Sequence, residues 1–159
     1  KRHSLEAVTN LHRCRAKLDD LNAKISGETH LQEKYEQEAK VLKVAYDDAI
    51  IQMEVAMKRK EQAESSLEKI DYNIKQLERL GELSENMQTK HDLREYCAEK
   101  VELATAEYVS AEKISRHAKH SLTEAEQNAQ AHVDKAEDAA EKIDALQVTH
   151  NKLVEDSES

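Results

Sequence analysis

Apolar residues recur at alternating steps of three and four along most of the chain. The clearest run is Ala39, Leu42, Tyr46, Ala49, Met53, Ala56, Lys60, Ala63, Leu67, Ile70, Ile74 and Leu77, more than five heptads with one polar lapse at Lys60. Such spacing lays one narrow stripe along an α-helix and suits it to a partner helix. The stripe extends backwards through Leu11, Cys14, Leu18, Leu21, Ile25, Glu28, Gln32 and Tyr35 without losing phase across Ser26-Gly27. A first helix over about residues 3–80 follows, with a weak point at 26–32, where glycine costs about 1 kcal/mol relative to alanine and Glu28 and Gln32 place polar groups in the stripe. The competing reading is a true break, with Ser26 or Thr29 as an N-cap and residues 1–26 folded back to give a three-helix bundle.

The pattern stops at Leu80-Gly81, where glycine supplies the left-handed residue that commonly ends a helix. Thr89, with Asp92 three residues on, resembles a capping box. That predicts a turn over about 81–89 and a second helix over about 90–155. Its stripe is Cys97, Val101, Ala104, Tyr108, Ala111, Ser115, Ala118, Leu122, Ala125, Ala129, His132, Ala136, Ala139, Ile143, Leu146, His150 and Leu153. Two similar helices joined by a short connection are antiparallel neighbours. The expected fold is all-α, an elongated antiparallel helical hairpin or coiled coil forming a single domain over residues 1–159, each helix on the order of 100 Å long. Centring the turn between Glu85 and Asn86 sets Met53 against Ala118, Leu67 against Ala104, Ala49 against Leu122 and Ala63 against Tyr108. Large then meets small in each layer. The same register pairs Ile25 with Leu146 and Leu18 with Leu153.

Some apolar residues lie off the stripe. Val41, Val44, Ile50, Ile51, Val55 and Met57 widen the apolar face of the first helix beyond what a two-stranded seam needs, and form a candidate partner face. A protein partner or self-association is the expectation.

Composition sharpens this picture. The 159 residues include no Pro, Phe or Trp, two Gly and five Tyr, and 36% are charged. A chain without helix breakers and nearly without aromatic anchors suits solvated helices better than a compact core. A net charge of −9 disfavours nucleic acid and anionic membranes. No stretch approaches 18 apolar residues, so no transmembrane helix is expected, and no signal peptide is visible, although the opening at Lys1 directly in helical sequence is what an excised piece would show. Cys14 and Cys97 fall far apart on the expected hairpin, beyond disulfide reach. Unpaired thiols point to a reducing compartment.

Little of the sequence points to chemistry. His117 and His120, three apart, approach Asp47 and Asp48 in the expected register. Two histidines at that spacing fall short of the three or four converging ligands a zinc site needs, so no metal and no cofactor is expected. No phosphate loop, nucleophile elbow or Cys-His pair occurs, and the chain is expected not to be an enzyme. Lys58, Arg59 and Lys60, with Lys113, Arg116 and Lys119, fall side by side in the expected register. They would form a basic belt, read either as a solvated face or as a docking site for an acidic partner or an anionic membrane surface.

Glutamate (23 residues) and alanine (20) are the commonest types, and the hairpin breaks at Arg79-Leu80-Gly81-Glu82-Leu83. In this the chain resembles the glutamate/alanine-rich helical coat proteins and helical-bundle receptors of African trypanosomes. That resemblance implies a helical bundle on a lipid-anchored cell surface, whereas the unpaired cysteines point inside the cell. Three functional classes stand: a non-catalytic structural or scaffolding coiled coil, an extracellular coat or receptor protein of a parasite, and a helical membrane-binding module.

Overall fold

The computed structural model describes residues 2–81 and 85–158. They form two helices, α1 (Arg2–Arg79) and α2 (Glu85–Glu158), packed against each other as a helical hairpin, with no strand among the described residues. Helix α1 runs unbroken through Gly27, so the alternative with residues 1–26 folded back does not hold. Gly27 is exposed and a Cβ there would meet nothing within 4 Å. The site is ordinary helix interior whose propensity cost is outweighed by seam contacts on either side.

At its C-terminus α1 closes with Leu80 N–H donating to the Gln76 carbonyl (3.1 Å) and Gly81 N–H to that of Glu78 (3.1 Å). Gly81 has φ of 69°, the left-handed conformation that a residue without Cβ adopts without strain. Helix α2 then starts at Glu85, five residues before the position that Thr89-x-x-Asp92 suggests, and Thr89 lies within the helix. Residues 82–84 of the expected turn lie outside the described residues.

The hairpin divides into two compact units, Lys1–Val41 with Thr123–Ser159, and Leu42–Leu122. In both, every stripe residue named above is buried or half-buried. In the first unit Cys14, Leu18, Ala125, Ala129 and Ala139 are buried, and the Cys14 thiol donates to the Leu146 carbonyl (3.6 Å). In the second the buried residues are Ala49, Ala56, Ile70, Ile74, Ala104, Ser115 and Leu122. Among the described residues no large side chain is fully enclosed, because two helices leave part of each seam residue open to water. Both cysteines are free; Cys14 is buried and Cys97 half-buried.

The register differs from the expected one. Asp71 meets Arg94 (2.5 Å) and Tyr46 meets Lys119 (5.1 Å to the ring centre) in the second unit. In the first unit Arg15 meets His150 (3.4 Å). Each of these pairs has its midpoint between residues 82 and 83, not between Glu85 and Asn86. Moving the midpoint three residues moves each partner by six, close to one heptad. A one-heptad shift returns every stripe position to an equivalent one. The buried set is therefore insensitive to the change, while the partners are not.

Candidate interaction surface

In the Leu42–Leu122 unit, the off-stripe apolar residues of α1 sort into two groups. At 100° per residue, Ile50 and Met57 fall beside the seam, and both are half-buried. Val44, Ile51 and Val55, spaced by seven and four, fall on the face turned away from α2. They are 70%, 54% and 38% exposed. The expected partner face is thus a widened seam plus a separate outer ridge. Val41, in the other unit, is also exposed.

A groove that the sequence reading did not anticipate runs beside this ridge. Ala45 and Ala49 of α1 and Ala106 and Ala111 of α2 help to line a hollow of about 630 Å³, bordered by Leu103 and Ile114. Leu103 and Glu107 also border a second hollow of about 550 Å³ that reaches Ser66 and Tyr96. Alanines at inter-helix positions remove volume from the flanks of a two-helix packing, and the register decides where that volume falls. The spacing of Leu103 and Ile114 was the available signal, but only the observed register sets them over the alanines.

The basic residues do not gather into one belt. Arg59 pairs with Glu107 (3.7 Å) and Lys60 with Glu64 (3.7 Å), and the Lys60 ammonium also lies over the Tyr108 ring (5.4 Å). Arg116 pairs with Glu112, and Lys119 sits over Tyr46. Lys58 and Lys113 are exposed. With the register moved by six residues, Arg59 and Lys60 face Glu107 and Tyr108 instead of Lys113 and its neighbours. The two clusters separate by about 9 Å along the axis, each interleaved with carboxylates. Exposed pairs of this kind contribute at most about 1 kcal/mol.

The Lys1–Val41 and Thr123–Ser159 unit holds a polar layer in its seam. The ring of His132 contacts the Glu28 carboxylate through Nδ1 and stacks on Tyr35, with centroids 5.5 Å apart and planes 8° apart. The hydrogen bond from His132 holds the Glu28 carboxyl below the usual carboxylate range, against the opposing effect of burial. Both residues stood out in the sequence as polar lapses in the stripe, yet only the register shows that they meet. In the same unit His150 accepts from Arg15 at Nε2, while its buried Nδ1 has no hydrogen-bond partner.

Among the described residues no three His, Cys, Asp or Glu side chains converge as a metal site would require. No helix among them is long and apolar enough to cross a membrane. Compared with family models, with characterised proteins and with solved structures, the chain matches none.

Proposed function

We propose that the chain is a non-catalytic coiled-coil module that holds a protein partner through the outer ridge Val44, Ile51 and Val55. The observation that supports this is an exposed apolar ridge at helical spacing on the face opposite the seam. Burying three such side chains contributes on the order of 5 kcal/mol. That only matches the lower end of the cost of association. A stable partner therefore also reaches into the neighbouring groove between Ala49 and Ile114, as an amphipathic helix would.

Photo-crosslinking tests this reading. A benzophenone side chain replaces Ile51 in one variant and exposed Ser65 in another, and both are irradiated in extract of the native source and as purified chains. A discrete adduct at position 51 and not at 65 supports the ridge as a partner site. An adduct of twice the chain mass in the purified sample identifies a second copy. Equal or absent adducts at both positions in both samples overturn the reading.

A further inference from the structure

The outer ridge of the Leu42–Leu122 unit belongs to a longer stripe on α1. Val44, Asp48, Ile51, Val55, Lys58 and Gln62 follow one another at steps of four and three, and all six are exposed. They form a second heptad stripe, turned away from the seam that meets α2. Its positions are symmetric about residue 53. Laid against its own reverse, the stripe sets Ile51 opposite Val55, Asp48 opposite Lys58 and Val44 opposite Gln62.

Antiparallel contact between two copies produces that arrangement. A two-fold axis at the level of Met53 brings the stripe of one α1 against the same stripe of another, an isologous contact in which each pairing occurs twice. Ile51 and Val55 close around the axis, and Asp48 of each copy meets Lys58 of the other. A parallel, in-register alignment would instead set Asp48 on Asp48 and Lys58 on Lys58, so the charges select the antiparallel one. Neither group is committed elsewhere: among the described residues, Asp48 and Lys58 have no ion pair within their own chain. Glu54 nears its own copy beside the axis, where Lys58, one turn along the same helix, offsets the repulsion.

The hairpin register carries the match onto α2. With the helices centred between residues 82 and 83, Leu103 stands level with Gln62 and Ile114 level with Ile51. Gln62 and Ile51 are the residues that face Val44 and Val55 of the second copy. The ridge valines of one copy therefore come level with Leu103 and Ile114 of the other, the apolar borders of its hollow of about 630 Å³. Ridge and groove lie side by side on one face and are mutually complementary.

We propose that the occupant of this face is a second copy of the chain, packed antiparallel along α1 about a two-fold axis near Met53. The inference rests on the partner-face reading and names the partner. Three ridge and two groove-bordering side chains from each copy come under one contact, twice what a single ridge sets against the cost of association.

Sedimentation equilibrium on the whole purified chain at low salt tests this, with far-ultraviolet circular dichroism confirming that each variant stays helical. The native chain should pass from the mass of one chain to that of two as its concentration rises. Ile51→Glu should weaken the dimer by about 100-fold or more, since the charge enters the apolar centre twice. Asp48→Lys and Lys58→Glu should each weaken it about tenfold, and the two together should restore it to within about threefold. Monomer mass up to about 1 mM overturns the inference; an adduct of position 51 with a different protein would then leave the partner-face reading standing. A dimer indifferent to Ile51→Glu, or charge reversals that do not rescue each other, overturns it as well.

Discussion

Ala139 and Ala140 are consecutive residues in the C-terminal third of α2, well inside its end, and they offer a controlled test of the seam. Ala139 is 1% exposed and lies on the stripe, while Ala140 is exposed. Helix propensity and distance from the helix ends are nearly identical for the two, so any difference between equivalent substitutions reports packing alone. Ala140→Leu adds a side chain into water and should shift stability by no more than about 0.3 kcal/mol. Ala139→Leu forces extra methylene and methyl groups between two backbones and should destabilise by about 1–3 kcal/mol. Glycine gives the complementary comparison. Ala140→Gly should cost about 1 kcal/mol from propensity, and Ala139→Gly about 1 kcal/mol more, because a buried methyl contributes about 0.8 kcal/mol and its loss leaves a small void. Urea unfolding followed by far-ultraviolet circular dichroism resolves such differences, provided the slopes of the transitions agree. Equal stabilities for the Leu pair and for the Gly pair would mean that Ala139 faces no partner helix, and the seam assignment would fail.

Two further predictions concern the glycines and the polar layer. Gly27→Ala should stabilise by about 0.5–1 kcal/mol in urea unfolding, since the site is helical and open, whereas Gly81→Ala should destabilise by about 1–2 kcal/mol because its φ of 69° admits a Cβ poorly; destabilisation by Gly27→Ala would argue for a break there. The carboxyl of Glu28 is depressed in the folded chain, so its contribution is present above the ordinary carboxylate pKa of 4.5 and is lost as pH falls through the lower folded value. The stability difference between the native chain and Glu28→Gln should accordingly shrink as the pH falls below 4.5. A difference that does not shrink there would contradict the Glu28–His132 contact.

The fold was legible because the heptad stripe is a one-dimensional signal. From Leu11 to Leu77 and from Cys97 to Leu153, the residues it selects are those the structure withdraws from water. The register was not legible. Alanine rows repeating at seven residues make registers one heptad apart nearly equivalent for apolar contact, so the choice between them falls to polar pairs. Those pairs, such as Asp71–Arg94 and Glu28–His132, are separated by 23 and 104 residues and leave no local signature. The start of α2 was misplaced for a related reason. Thr89-x-x-Asp92 has the composition of a cap, but the hairpin closes earlier and makes the signal internal. The outer ridge was seen only as part of a broad apolar face, since Ile50 and Met57 lie close to it in sequence but fall on the seam side. The groove depends wholly on the register, and the basic belt dissolved with it.

The antiparallel packing of α1 against α2 within one chain can be tested with a single distance. Gln62 and Lys100 are exposed and line the same groove. Nitroxides at these positions, in a chain with Cys14 and Cys97 replaced by alanine, should be separated by little more than the helix spacing of about 8–10 Å plus the label arms. The predicted result is a single short distance that persists when labelled chains are diluted with a large excess of unlabelled ones. A short distance that vanishes on dilution, as in a parallel pairing of two chains, or the absence of any short distance, would contradict the hairpin.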